Sequence, residues 1–306
     1  MTAPRLSRPV SRRWITWLRW LGTLASLALL VALLGRQDWS EITRSAARLS
    51  ANNAILALAL LVASQGFNAW RWWILLRAQA ISMSYYESVR LAFAGLFASN
   101  FLPSTIGGDV IRLAGVLAVA ADRVAGTASV VVDRAVSVFG MLFLLPVSAM
   151  IFLPELRAGG WPMVAGLVTG EGGAASFLSR SLRRWMDAFA LWAKAPASLA
   201  RALAASWGGV VCYVLAIWVT AQGLGMSVTV TQVAGVTGLT YLLTLIPVSI
   251  NGYGIREAAM VALYAQLGAV AEQASALALI SRLLMMAVTL PGAAALPGLL
   301  TLRPEA

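Results

Sequence analysis

The 306-residue sequence contains no histidine, one cysteine and few charges, 11% of its residues against roughly a quarter in soluble domains. Without histidine there is no phosphohistidine phosphatase, no zinc protease of the usual ligand set and no imidazole-based acid–base scheme. Cys212 lies inside an apolar run and has no second cysteine to pair with, so it reads as a small buried or lipid-facing side chain. No glycine-rich phosphate loop and no cluster with metal-ligand spacing is present. The reading assigns no cofactor, no metal and no catalytic residue, and expects no enzyme.

What is abundant is apolar: 60% of the residues are hydrophobic. Long runs recur at Leu21–Leu34, Ile55–Ser64, Ala135–Leu153, Gly208–Thr220 and Ser275–Leu300, several near the roughly 20 residues that a bilayer-spanning helix needs. Tryptophans cluster at Trp14, Trp17 and Trp20 and at Trp70, Trp72 and Trp73, beside arginines, as suits a membrane–water interface. The net charge of +11 does not imply nucleic acid, because the basic residues sit at the ends of apolar runs. Arg5, Arg8, Arg12, Arg13 and Arg19 mark a cytoplasmic N-terminus ahead of an uncleaved first span.

The spacing predicts span 1 at about Trp17–Leu34, an amphipathic external segment over Arg36–Ala51 and span 2 at about Asn53–Trp73, with Arg71 and Arg77 as cytoplasmic anchors. A stretch over Val89–Ala120 is broken at Pro103 and Gly107-Gly108; Glu87 and Arg90 before it read as a solvated pair. Span 3 follows at Ala135–Leu153 with Asp133-Arg134 at its start, then an external turn over Glu155–Gly160 and a weaker span 4 over Trp161–Ser179. Arg180, Arg183, Arg184, Lys194 and Arg201 form the strongest basic loop, cytoplasmic by the positive-inside rule. Span 5 covers about Ser206–Gly223, a second stretch over Thr229–Leu267 is broken at Pro247 and Gly252, and span 6 covers Ser275–Leu300. Glu171, Gln222 and Gln232 have no evident partner.

The two breaks are alike. One reads Phe101-Leu-Pro-Ser-Thr-Ile-Gly-Gly-Asp-Val-Ile-Arg112 and the other Leu245-Ile-Pro-Val-Ser-Ile-Asn-Gly-Tyr-Gly-Ile-Arg256. Pro103 and Pro247, Gly108 and Gly252, and Arg112 and Arg256 recur at the same offsets, and each break follows two spans and precedes one. The expectation is an all-α polytopic membrane protein with about six full transmembrane helices and two broken or re-entrant hairpins, eight or so hydrophobic segments in an inverted repeat. A single domain over 1–306 divides into half-repeats at about 14–155 and 160–302.

Proline ends a helix because it has no amide proton and obstructs the preceding turn, which makes Pro103 and Pro247 hinges. Gly107, Gly108 and Gly252 permit backbone angles and approaches that other residues resist. Backbone groups freed by such breaks must be satisfied by protein or by a wet cavity. Asp109 and Arg112 stand at i and i+3 near one helix start, and Arg256 and Glu257 open the matching helix. A mid-membrane charge costs about 2.5–3.5 kcal/mol on insertion scales, so these four are expected to converge on one polar cavity beside Asn251. Free helix-start amides together with an arginine suit a lipid phosphate. Read only as structure, the charges pair with each other and stabilise two kinks. Asp133-Arg134 fits an interfacial anchor and a cavity wall equally well.

The segment Asn100–Arg112 resembles the Pro-x-x-x-Gly-Gly-Asp-x-x-Arg signature of the lysylphosphatidylglycerol synthase transmembrane (flippase-like) family and its stand-alone relatives. Pro247–Glu257 resembles that family's second signature, Pro-x-x-x-Asn-Gly-x-Gly-x-Arg-Glu, and Asp133-Arg134 its intervening acidic–Arg pair. Arg71-Trp72 fits a looser pattern at the end of the second helix. The resemblance implies a membrane domain that moves or scrambles polar lipids between leaflets; the reading of the residues expects a bacterial cytoplasmic membrane and a headgroup site made of Asp109, Arg112, Asp133, Arg134, Asn251, Arg256, Glu257 and the break glycines. The soluble aminoacyl-transferase domain of the full-length synthases is absent from the sequence, so lysyl-lipid synthesis is not implied. The partner expected is a membrane phospholipid or another polar lipid, with lipid-biosynthesis enzymes as candidate protein partners and no nucleic acid. An intramembrane glycosyl- or headgroup transferase with Asp109 or Glu257 as base stays open, as does an accessory subunit of an envelope-lipid enzyme.

Overall fold

The computed structural model describes residues 39–101, 107–157, 195–245 and 254–295, and every regular element within them is helical. In order these are α1 (Trp39–Ala47), α2 (Ala51–Ala78), α3 (Tyr85–Phe101), α4 (Gly107–Leu117), α5 (Arg123–Leu142), α6 (Leu145–Arg157), α7 (Pro196–Gly223), α8 (Val230–Thr244), α9 (Ile255–Gln266), α10 (Ala271–Thr289) and a 3-10 turn (Leu290–Ala295). Four stretches are long and apolar enough to cross a membrane: Ala51–Ala78, Arg123–Leu153, Pro196–Gly223 and Ala271–Ala295. The expected spans 1 and 4 lie outside the described residues, as do Pro103, Pro247, Asn251 and Gly252, so a count of six full crossings is not reached.

Span 3 differs from expectation. Its helix starts at Arg123, not at Ala135, because Asp122 caps it by accepting from the amides of Val124 (2.7 Å) and Ala125 (3.3 Å). Asp133 and Arg134 therefore stand well inside α5. The helix then breaks at Phe143-Leu144, ahead of Pro146, and α6 continues through Arg157, into the expected external turn. In the second half, α10 gives way to the 3-10 turn ahead of Pro291.

The two halves, α2–α6 and α7 through the 3-10 turn, match element by element. α2 and α7 both have 28 residues; α3 and α8 have 17 and 15, α4 and α9 have 11 and 12, α5 and α10 have 20 and 19. Local hydrogen bonds repeat as well. The Ile81 amide donates to the Leu76 carbonyl as that of Met226 does to Ala221. The Trp73 indole donates to the Met83 carbonyl at 3.1 Å, and that of Trp218 to Val228 at 3.1 Å. Reciprocal capping boxes start α3 (Ser84 with Glu87) and α8 (Thr229 with Gln232). Glu87 is thus first a helix cap, with Arg90 adding a weaker attraction to its carboxylate from a guanidinium that lies 5.9 Å from the Tyr86 ring. Gln232 gains the partner that sequence alone did not supply.

Packing between the halves comes in exchanged pairs: α5 on α7 and α10 on α2, α6 on α8 and the 3-10 turn on α3. The central contact, α2 on α7, is antiparallel. Gly223 lies against Leu49 and Asn53, Gly208 against Phe67, the Ser64 hydroxyl donates to the Gly209 carbonyl at 2.8 Å, and Arg71 reaches Ser206. A twofold that exchanges two antiparallel spanning helices is perpendicular to them and lies in the membrane plane, which is an inverted repeat.

The turns after α2 and α7 both need a left-handed residue, and the halves fill it differently, with Ala80 at φ 56° and Gly225 at φ 78°. A Cβ at Gly225 would meet nothing closer than 3.6 Å, so only backbone strain separates the two residue types there. Ala80→Gly should stabilise the detergent-solubilised protein by about 1 kcal/mol, and Gly225→Ala should destabilise it by about 1 kcal/mol. Unfolding of the two variants beside wild type, followed by circular dichroism, checks both signs.

Candidate functional site

The site begins with a close helix–helix approach. α3 and α4 form an antiparallel hairpin in which a Cβ on Gly108 would lie 2.5 Å from the Gly95 carbonyl and 2.1 Å from the Ser99 hydroxyl. Only glycine fits that contact, and it brings the first turn of α4 against α3. Asp109 and Arg112 follow one helical turn apart and project from the same face toward α5.

The α5 carboxylate of Asp133, 1% exposed, is the centre of the site. Its Oδ1 accepts from Arg71 Nε of α2 at 2.7 Å, and its Oδ2 from Arg112 Nη2 of α4 at 2.6 Å. Arg71, itself 5% exposed, also donates to Asn68 at 3.0 Å and to Ser206 of α7 at 3.3 Å. The Arg112 guanidinium lies 4.2 Å from the centre of the Trp72 ring, a cation–π contact, and its Nε has no hydrogen-bond partner among the described residues. Outside this core, Asp109 accepts from Arg134 at 2.8 Å and stands 3.8 Å from Arg112. The Arg134 side chain is 56% exposed.

These groups line a cavity of about 150 Å³ together with Gln65, Asn68, Ser99 and Ser137. Three guanidinium groups (Arg71, Arg112 and Arg134) face two carboxylates (Asp109 and Asp133), so the cavity carries one uncompensated positive charge among the described residues. Such a site is complementary to a singly charged anion that brings acceptors and no donors.

Four of the sequence-predicted residues, Asp109, Arg112, Asp133 and Arg134, come together here, with Gly108 lining the same cavity and Gly107 opening α4. Arg256 and Glu257 do not join them. Being consecutive on α9, they diverge by about 100° around the helix. Glu257, 4% exposed, accepts from the Gly254 amide at 2.9 Å and from Arg282 of α10 at 2.7–2.8 Å. Arg256 instead donates to the Tyr213 hydroxyl and lines a second cavity.

The pairing also adds a correspondence between the halves that the break motifs do not carry. Asp109 and Glu257 are both the third residue of the helix after a break, and each pairs with an arginine 25 residues on in the next helix, Arg134 and Arg282. The aligned motifs match Arg112 with Arg256, about one helical turn away from this structural match. Sequence reading missed Arg71 as a site residue, since its basic, Trp-flanked setting reads as an interfacial anchor while its partner lies 62 residues away.

A family model, the lysylphosphatidylglycerol synthase TM region, matches residues 19–292, and the chain belongs to this family. No curated protein and no solved structure matches the chain.

Breaking a buried ion pair from one side leaves an uncompensated charge, whereas an exposed pair is screened. Asp133→Asn strands both Arg71 and Arg112 and should destabilise the protein by about 3–5 kcal/mol. Asp109→Asn frees only the half-exposed Arg134 and should cost about 1 kcal/mol or less. Thermal unfolding in detergent, read by intrinsic tryptophan fluorescence, should rank them in that order.

Proposed function

We propose that this member of the lysylphosphatidylglycerol synthase TM family is a lipid transporter of the flippase type. In this reading the phosphate of a polar or anionic phospholipid enters the cavity around Asp133 while its acyl chains stay in the bilayer. The observation that carries the reading is the uncompensated positive charge of a cavity walled by the long apolar helices α2 and α5 and by the shorter α3 and α4. A phosphodiester brings one negative charge and two free oxygens, and Arg112 lines the cavity with a guanidinium fixed by Trp72 and Asp133. Because Asp133 holds Arg71 and Arg112 in place in the empty site, the anion meets a preorganised pair and little rearrangement is needed.

The hairpins α3–α4 and α8–α9 are, in the same reading, re-entrant. Helices of 17 and 11 residues reach only about 25 and 16 Å, less than the roughly 30 Å of hydrocarbon. The first turn of α4, with Gly108 and Asp109 on the cavity, would then lie within the bilayer and give the headgroup a polar route between leaflets. The basic residues put the N-terminus and the 180–201 loop on the cytoplasmic side of a bacterial inner membrane.

Reconstituted into liposomes with fluorescent phosphatidylglycerol, the wild-type protein should expose the inner-leaflet probe to a membrane-impermeant quencher. Arg112→Gln should slow that exposure at least about tenfold, and Arg112→Lys should restore part of it, since lysine gives the charge but not the planar fork. A wild-type rate in Arg112→Gln would make the cluster structural. In whole cells, Ser198→Cys in a Cys212→Ala background should resist an impermeant thiol reagent; ready labelling would reverse the orientation.

A further inference from the structure

The second cavity, of about 80 Å³, lies between α7, α8 and α9. Apolar atoms make up most of its surface, but polar side chains are numerous along it: Arg256, Tyr213, Tyr264, Tyr241 and the threonines Thr237, Thr240 and Thr244. Two of these are anomalous for a membrane protein interior. The Thr240 hydroxyl and the Tyr264 hydroxyl are buried, the residues being 5% and 0% exposed, and neither has a hydrogen-bond partner among the described residues. An unmet buried hydroxyl is costly, and such groups persist where something else supplies the partner. Beside them Arg256 has no carboxylate within ion-pair distance among the described residues; it donates to the Tyr213 hydroxyl, leaving that hydroxyl's own hydrogen free to point elsewhere.

We propose that this cavity is a second anion station, which takes the oxygens of a phosphate ester through Arg256 and the hydroxyls of Tyr213, Thr240 and Tyr264. The cation supplies the charge and the hydroxyls supply donors to an oxyanion that has none of its own. The cavity is close to the first. Tyr241 lines it and stands close enough to Ser137, which lines the cavity around Asp133, for the two side chains to interact. The two stations thus lie on either side of Tyr241 and Ser137. That the oxyanion belongs to a lipid headgroup rests on the lipid-transport reading; the anion chemistry itself does not.

The test uses purified full-length protein in detergent, with unfolding temperature as readout and two probes, short-chain phosphatidylglycerol and inorganic phosphate. A bound ligand raises the unfolding temperature in proportion to its occupancy, so titrations give affinities. Thr240→Val and Tyr264→Phe remove the unmet hydroxyls and keep their shape, so the ligand-free protein should become more stable. The same substitutions, made in an Arg112→Gln background that disables the first cavity, should weaken the remaining affinity about tenfold. An unchanged probe response in these variants overturns the proposal, as does complete loss of response in Arg112→Gln alone. If Arg112→Gln leaves the response intact and Tyr264→Phe removes it, the second station stands and the assignment of the first cavity fails. A response to phosphatidylglycerol but not to phosphate identifies a headgroup as the ligand; a response to phosphate alone keeps the station and assigns it a free oxyanion.

Discussion

The bidentate use of Asp133 holds the first half of the molecule together. One carboxylate, sealed inside α5, receives Arg71 from α2 and Arg112 from α4, and Arg71 reaches on to Ser206 of α7. Neither arginine is tolerable alone in an apolar bundle, and neither has another carboxylate as close. Once the three meet, the position of α4 relative to α5 is fixed, the glycine contact of α4 with α3 sets the other side, and the cavity between them follows. The charge arithmetic is set by the same interaction, because one acid shared by two bases leaves a positive charge over.

The inverted repeat shows what that arrangement adds. Both halves place an acid at the third residue of the helix after the break and pair it with an arginine on the next helix. In the second half the pair is sealed and neutral, Glu257 being satisfied by Arg282 and the Gly254 amide. In the first half the corresponding pair is open to the cavity, and the Asp133 cluster lies behind it. The second half has no counterpart of Asp133 in an ion pair among the described residues. It keeps instead an arginine among hydroxyls. The scaffold is symmetric, and its chemistry is divided unequally between the halves.

Much of this was legible in the sequence. The apolar runs marked the crossing helices, and the repeated Pro, Gly and Arg offsets marked the two halves and their inverted order. The correspondence of the acid–arginine pairs was not legible, because an aligned arginine is a conspicuous signal while those pairs join different helices. Arg71 and Asp133 were misplaced for a related reason. A charge beside an apolar run reads as its end, and only the tertiary pairing across 62 residues makes the middle of a spanning helix a tolerable place for Asp133. The capping boxes at Ser84 and Thr229 carry local signatures that name Glu87 and Gln232 directly as caps.

The central claim is that Arg112 holds a lipid phosphate inside the helix bundle. Solid-state NMR distance measurement between ¹⁵N-labelled arginine side chains and phosphorus, in bilayers of phosphatidylglycerol and phosphatidylcholine and with Arg256→Gln throughout so that the second cavity adds no contact, addresses it directly. The account predicts a guanidinium nitrogen within about 4 Å of phosphorus that disappears in Arg112→Gln, as charge-assisted contact to a phosphate oxygen requires. Close phosphorus contacts that persist unchanged in Arg112→Gln would place the lipid only around the outside of the protein and contradict it.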